Sequence, residues 1–282
     1  MVNMKIASSI ALLSAAVSAN AIPSHMLKRD SDTPPQALPQ SADQYDLQFQ
    51  PVLDYDTDSC YNVPAIDANG NLDKGLSNTY TTNTADGCRT PSYLDNQNVY
   101  ARTRCNNGWC ARMYEHYFQK DVGLENVAGV ASGHRYEWEN VVVWTQDGQD
   151  HPSFVAVSQH DGYQVKSASD IRFQGTMVRN RVLTFLSDHH PKVVYNKAGS
   201  GTHDFRFANE GDDAIENDKG TWIQGALVGF WGYPSTDIRD KMIQNWANNG
   251  IKCKIETAIF AEYLKKSVGS NDVGNFDFNS DS

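Results

Sequence analysis

The segment Cys105-Asn106-Asn107-Gly108-Trp109-Cys110 constrains the fold more than any other stretch of the chain. An Asn-Gly pair favours a tight two-residue turn, because both residues accept left-handed backbone angles at low cost. The flanking segments, Asn98 to Thr103 and Ala111 to Phe118, are of β type. Together they predict a hairpin closed by a Cys105–Cys110 disulfide. Stretches dense in β-branched and aromatic residues recur at 140–144, 153–158, 177–186 and 193–195, with Gly148 in the turn between the first two. Helical patterning comes late. Thr236-Asp237 can cap a helix running to about Asn248, with Asn249-Gly250 as its stop and Ile238, Met242, Ile243 and Trp246 as its apolar stripe. A second helical pattern covers Thr257 to Lys266. The expected architecture is mainly β: a single-domain β-sandwich over residues 46–268 with a few flanking helices.

The ends carry other signals. Lys5, the apolar run Ile6 to Val17 and Ala19-Asn20-Ala21 have the order of a secretory signal peptide over residues 1–21. Residues 22–45, with the dibasic Lys28-Arg29 and several prolines, are expected to be a pro-segment or disordered linker, and the polar stretch 269–282 a disordered tail. In an oxidising route, five cysteines suggest two disulfides and one thiol. Several pairings are open. Locality favours Cys105–Cys110, which would leave Cys60 with Cys88 and Cys253 as a buried free thiol. The apolar runs are too short for a spanning helix, which needs roughly 20 residues. A formal charge of −10 disfavours nucleic acid and direct contact with an anionic bilayer. A divalent cation could bridge such a surface. The expected product is a secreted, extracellular monomer that meets membranes only peripherally.

Signatures for a nucleophile elbow, a phosphate loop, a zincin helix and an EF-hand are all absent. What stands out is Gly133-His134-Arg135-Tyr136-Glu137-Trp138-Glu139, directly before the apolar run Val141 to Val143. On a strand, Glu137 and Glu139 at i and i+2 share one face, and two carboxylates so placed repel unless a cation lies between them. Oxygen ligands of this kind suit Mg2+ or Ca2+. The same run also fits a solvated strand edge, with Arg135 paired to a glutamate. An acid–base pair of a glycoside hydrolase is a third reading, but such pairs normally flank the substrate from different elements. The chain is not expected to be an enzyme.

The heptad resembles the Gly-His-Arg-His-Asp-Trp-Glu signature of the necrosis- and ethylene-inducing-peptide-like proteins, in the variant with two disulfides. The blocks Cys60-Tyr-Asn-Val-Pro-Ala-Ile-Asp, Asn98-Val-Tyr-Ala-Arg102, Tyr117-Phe-Gln-Lys-Asp121, Glu139-Asn-Val-Val-Val-Trp144 and Ser158-Gln-His-Asp-Gly-Tyr163 are similar in order and spacing. The resemblance covers roughly Tyr55 to Lys266. It implies an actinoporin- and lectin-like β-sandwich that holds a divalent cation in an acidic cavity. Such a protein binds the sugar head group of plant plasma-membrane glycosylinositol phosphoryl ceramides and acts in the host apoplast as a cytolysin, virulence effector or elicitor. A non-cytotoxic, glycan-binding or immunity-triggering protein of the same fold is the alternative. Carried over by motif, the metal shell is Asp121, His134, Glu137 and Glu139, with Asp121 and Glu139 as direct ligands and the other two acting partly through water. Arg135, His160, Asp161 and Trp231 are the head-group and cavity residues, Trp231 as a membrane contact, and His203 matches a further loop histidine. The sequence departs from the signature at Tyr136, where the family has histidine, and at Glu137, where it has aspartate.

Overall fold

The computed structural model describes residues 33–78, 84–123, 133–174, 189–199, 201–246 and 250–280. Among the described residues, ten strands and three α-helices follow in chain order: α1 (Gln44–Gln48), β1 (Val52–Tyr55), β2 (Asn98–Asn106), β3 (Trp109–Asp121), β4 (His134–Gln146), β5 (Phe154–Gln159), β6 (Gly162–Ser167), β7 (Phe173–Gln174), β8 (His190–Ala198), β9 (Thr202–Phe207), β10 (Ala226–Gly229), α2 (Thr236–Gln244) and α3 (Thr257–Ser267). The larger sheet has the order β10-β2-β3-β4-β5-β6 and is antiparallel except for β10 beside β2. In the smaller sheet β8 pairs with β1, β7 and β9. The mainly β sandwich expected from the sequence is the fold observed.

Side-chain alternation divides the larger sheet between two cores. Val99, Ala101, Tyr114, Phe118, Val141, Val143, Val155 and Val157 point toward the smaller sheet and pack with Tyr55, Val193, Tyr195 and Phe205. Tyr100, Met113, Tyr117, Trp138, Val142, Trp144 and Ala156 take the other face and meet Met242, Ile243, Trp246, Phe260 and Leu264 of the helical layer. A sheet covered on both faces explains why 141–143 reads as an unbroken apolar run rather than an alternation. The result is three layers: small sheet, large sheet, helices.

The β2–β3 hairpin forms as read. Asn107 and Gly108 have φ of +49° and +85°, Cys105 faces Cys110 across the ladder, and the two are bonded. Cys60–Cys88 is the second disulfide, and Cys253 is a buried free thiol. Helix α2 takes Ser235 as its cap, the hydroxyl accepting the Ile238 amide at 3.3 Å, one residue earlier than expected. The strand expected at 177–186, the last residues of the first helical pattern and the signal peptide lie outside the described residues.

Two expectations of disorder are corrected. Within 22–45, the described residues 33–45 pack against the larger sheet. Leu38 is buried, its amide donates to Asn98 Oδ1 at 2.8 Å, and its carbonyl accepts from Asn98 Nδ2 at 2.9 Å. Asn96 serves Ala37 and Pro35 in the same way. Side-chain amides here replace a strand partner for a proline-rich segment that cannot supply a regular ladder. In the tail, Val273 and Phe276 are buried in the helix-side core, and Phe276 meets Trp144 edge-on at 5.0 Å. The turn residues Asn106 and Asn107 donate to the carbonyls of Asp277 and Asn275 at 2.9 and 2.8 Å. Two apolar side chains in a polar stretch are enough to dock it, a signal that average composition hides. Among the described residues no helix is long and apolar enough to cross a membrane.

Candidate metal centre

The heptad forms the first half of β4, at the end of the larger sheet where β3 finishes. Its glycine is required by geometry. Gly133 has φ +79°, and a Cβ there would lie 1.9 Å from the Asp121 carbonyl oxygen. Only glycine lets the chain re-enter the sheet so close to the end of β3.

Glu137 and Glu139 share the face of β4 that looks toward the smaller sheet, as the i, i+2 rule requires. Strict alternation would send His134 to the other face, with Tyr136 and Trp138. Tyr136 breaks the alternation with φ +67°, while the β3–β4 register continues on both sides of it. Its ring packs in the helix-side cluster, 5.0 Å from Trp246 and 6.4 Å from Tyr117. A left-handed non-glycine residue costs on the order of 1–2 kcal/mol, and aromatic packing of about the same size offsets it. His134 thereby joins the glutamates. Ligand atoms of Asp121, His134 and Glu137 all lie within 4.8 Å of one another.

Each member is held by its own contacts. The Asp121 carboxylate accepts the His203 amide at 3.0 and 2.9 Å and the His203 ring Nδ1 at 2.7 Å. His134 Nδ1 meets the Tyr136 carbonyl at 2.8 Å, leaving Nε2 3.3 Å from Glu137 Oε2. Glu137 Oε1 accepts the Trp138 amide at 2.6 Å. Glu139 stands apart from this trio, and its Oε2 accepts the Ser158 hydroxyl. The structure therefore groups Glu137 rather than Glu139 with Asp121.

His134, Glu137 and Glu139 line a cavity of about 260 Å3, closed on its other sides by the β5–β6 turn (His160, Asp161), by Thr202 and His203 of β9, and by residues 250–252, Lys254 and Tyr263. Asp121 is buried and is not itself part of the wall. Of the proposed head-group residues, His160 and Asp161 line it. Arg135 does not: its guanidinium turns outward to the Lys74 carbonyl at 3.0 Å. Trp231 does not either, and lies near the opposite end of the sheet.

Lys254 is the cavity residue that motif reading missed. It is 7% exposed, and its ammonium donates to the Trp138 carbonyl at 2.6 Å. Burial works against the charged lysine, but Glu115, Glu139 and Glu137 outweigh it and hold its pKa above the ordinary value. The carboxylates shift the other way. Burial raises Glu137, with Lys254 opposing and Asp121 adding to the shift. Burial and the neighbouring Glu137 push Glu139 well above the usual carboxylate range. Buried carboxylates raised by one another are the environment in which a cation gains most. Two carboxylates and an imidazole within 4.8 Å of one another fit a divalent ion.

Fold and site together define a class: a two-sheet β protein with an acidic, cation-competent cavity at one end of its larger sheet. The chain belongs to the family described as Necrosis inducing protein (NPP1), which matches it over residues 43–267. It is 36% identical over 159 residues to the "Necrosis-inducing protein NPP1" of Phytophthora nicotianae, a match spanning 55% of this chain and 63% of that relative, less than two thirds of its length. The fold is similar to that of Necrosis and Ethylene inducing Protein 2 from the causal agent of cocoa's witches' broom disease, with a TM-score of 0.63 and 22% identity over 84% of this chain and 96% of that one. It is also similar to NLPPya in complex with glucosamine, with a TM-score of 0.62 and 25% identity over 84% and 97% of the two chains.

Proposed function

We propose that the protein is a secreted effector whose acidic cavity holds a divalent cation, Mg2+ or Ca2+, and through it the sugar head group of plant glycosylinositol phosphoryl ceramides, with damage to the host plasma membrane as the outcome. The observation that carries this reading is the convergence of Asp121, His134 and Glu137 within 4.8 Å of one another, with His134 and Glu137 on the wall of a cavity and Asp121 buried beside them. A bound cation would supply a Lewis-acidic centre that orients hydroxyl oxygens. Asp121, His134 and Glu137 would hold it, with His203 fixing the Asp121 carboxylate through two kinds of N–H. Glu139, bonded to Ser158, and Asp161 remain as acceptors for sugar hydroxyls. NLPPya, a similar protein, is known with glucosamine, which supports a sugar ligand for this fold. Binding rather than hydrolysis is the proposed chemistry.

The test is Asp121→Asn, which keeps the shape and removes the charge. With the melting temperature unchanged, calorimetric Ca2+ or Mg2+ binding should weaken at least tenfold, and dye leakage from vesicles containing plant sphingolipids should fall with it. Full leakage in excess chelator would sink the cation's role. Cation binding without leakage would leave the site and remove the toxicity, giving a non-cytotoxic glycan binder. Release of reducing sugar from plant wall fractions would point to a hydrolase instead.

A further inference from the structure

A second cavity, of about 530 Å3, lies near the other end of the larger sheet and shares no lining residue with the first. Trp231, Asp43, Asp46 and Thr103 are among its walls. Thr103 pairs with Arg112 on β3, nine residues before Asp121, so the two cavities are on the order of 30 Å apart along the strand.

Trp231 is 80% exposed, whereas Trp138, Trp144 and Trp246 are fully buried. Its indole is nonetheless held in place. The Arg239 guanidinium lies 4.8 Å from the ring centroid, and Phe230 meets the ring edge-on at 5.0 Å. Phe230 in turn carries Arg102 and Arg239 at 4.2 and 4.3 Å. The indole is backed by a cation, and 80% of the residue remains exposed. Two carboxylates stand in the polar wall beside Ser41, Thr103 and Arg102, whose guanidinium is engaged by the Phe230 face and the Ile255 carbonyl; Arg112 Nε lies 3.7 Å from Asp46 Oδ1. Asp43 Oδ1 takes the amides of Tyr45 and Asp46, and Asp46 Oδ1 takes the Thr103 hydroxyl. The second oxygen of each carboxylate has no hydrogen-bond partner among the described residues, although Asp46 is only 6% exposed.

An occupant must therefore offer a flat apolar face on one side and donors on the other. The two carboxylates disfavour an anion, since Arg102, the cation in the wall, is already engaged by Phe230 and the Ile255 carbonyl. A bare ammonium is disfavoured on a ring already loaded by Arg239. A bilayer surface is disfavoured because Trp231 is a lone ring beside charged groups, not part of an apolar patch, on a chain of net charge −10. A pyranose meets both requirements, since its axial C–H groups form an apolar face and its hydroxyls donate. We propose that this cavity is a saccharide subsite in which a sugar ring stacks on the exposed ring of Trp231 and donates hydroxyls to Asp43 and Asp46. The subsite is independent of the acidic cavity and of the function proposed for it.

The test is isothermal titration calorimetry of the full chain with cellotetraose, xylotetraose and chitotetraose at millimolar concentrations, in excess chelator to silence the acidic cavity, with tryptophan fluorescence against phosphatidylcholine vesicles as a parallel arm. The expected result is a saturable change with at least one oligosaccharide. It should be lost in Trp231→Ala and weakened in Trp231→Phe, which keeps an aromatic ring. No saturable response to any of the three sugars overturns the proposal, as does a sugar response that survives in Trp231→Ala. A blue shift with vesicles and no saturable heat with sugars replaces the saccharide with a bilayer.

Discussion

The two ends of the larger sheet use aromatic side chains in opposite ways. At the acidic end, Tyr117, Tyr136, Trp138 and Trp246 stack beneath the heptad with ring centroids 4.9 to 6.4 Å apart, and none of their rings lines the cavity. They are the support on which charged groups are aimed. At the other end the aromatic ring faces the cavity and a guanidinium supports it from behind. A site made of charges needs a stiff apolar base, because like-charged side chains left alone would separate. A site made of a ring needs only to keep that ring from collapsing onto the surface. Loss of an aromatic residue should therefore cost stability at one end and ligand binding at the other.

The contrast can be broken most sharply with Trp246→Ala. The side chain is fully buried against three other rings, so removal should destabilise the protein by about 3–5 kcal/mol and release Tyr136 from its strained backbone angle. Denaturant unfolding measures the first effect and weakened Ca2+ or Mg2+ binding the second. Unchanged cation binding in a folded variant would show that Tyr136 does not depend on this support.

Next in size is the pH response below the acidic cavity. Burial lifts Glu115 to about 7, with Lys254 opposing, so the native state holds its proton more tightly than the unfolded chain. The stabilising contribution of neutral Glu115 is full below about pH 4.5 and is lost as pH rises to about 7, with an upper bound of about 3 kcal/mol. Glu115→Gln keeps an acceptor for the Lys254 amide and should flatten the fall in melting temperature across that window, measured in chelator. An unaltered slope would assign the pH response to the other raised carboxylates, Glu137, Glu139, Asp56 and Asp204 among them.

At the opposite end, removing Cys105–Cys110 with serines should cost about 2 kcal/mol, the loop-entropy value for so short a closure, since the Asn-Gly turn already favours the hairpin. Removing Cys60–Cys88, which spans 28 residues, should cost more, at about 3.5 kcal/mol. Chemical denaturation of the two double variants checks the order. The smallest effect belongs to Trp231→Ala, within about 0.5 kcal/mol, because the residue is 80% exposed. A larger loss would mean that its ring is structural and not a platform.

Much of this molecule was legible in the chain. The Asn-Gly turn, the β-type segments and the late helical stripes gave the elements, because each rests on local backbone preference or a short period. Locality also favoured Cys105–Cys110, and the apolar alternation around Cys253 set that thiol aside and left Cys60 for Cys88. The i, i+2 rule placed Glu137 and Glu139 on one face. Asp121 came from resemblance to a family, since nothing local links it to the heptad. Three things needed the tertiary structure. A positive φ at Tyr136 moves His134 across the strand, against the pleat that any pattern argument assumes. Lys254 reaches the cavity from a segment more than a hundred residues away in sequence, drawn in by carboxylates whose positions depend on the sheet register. Trp231, read as part of the head-group site, belongs to the far end, because β10 runs parallel to β2 and carries it away from Asp121. Local interactions act between neighbours in sequence and can be read there. Charge and burial act between neighbours in space, and only the packed sheet decides which residues those are.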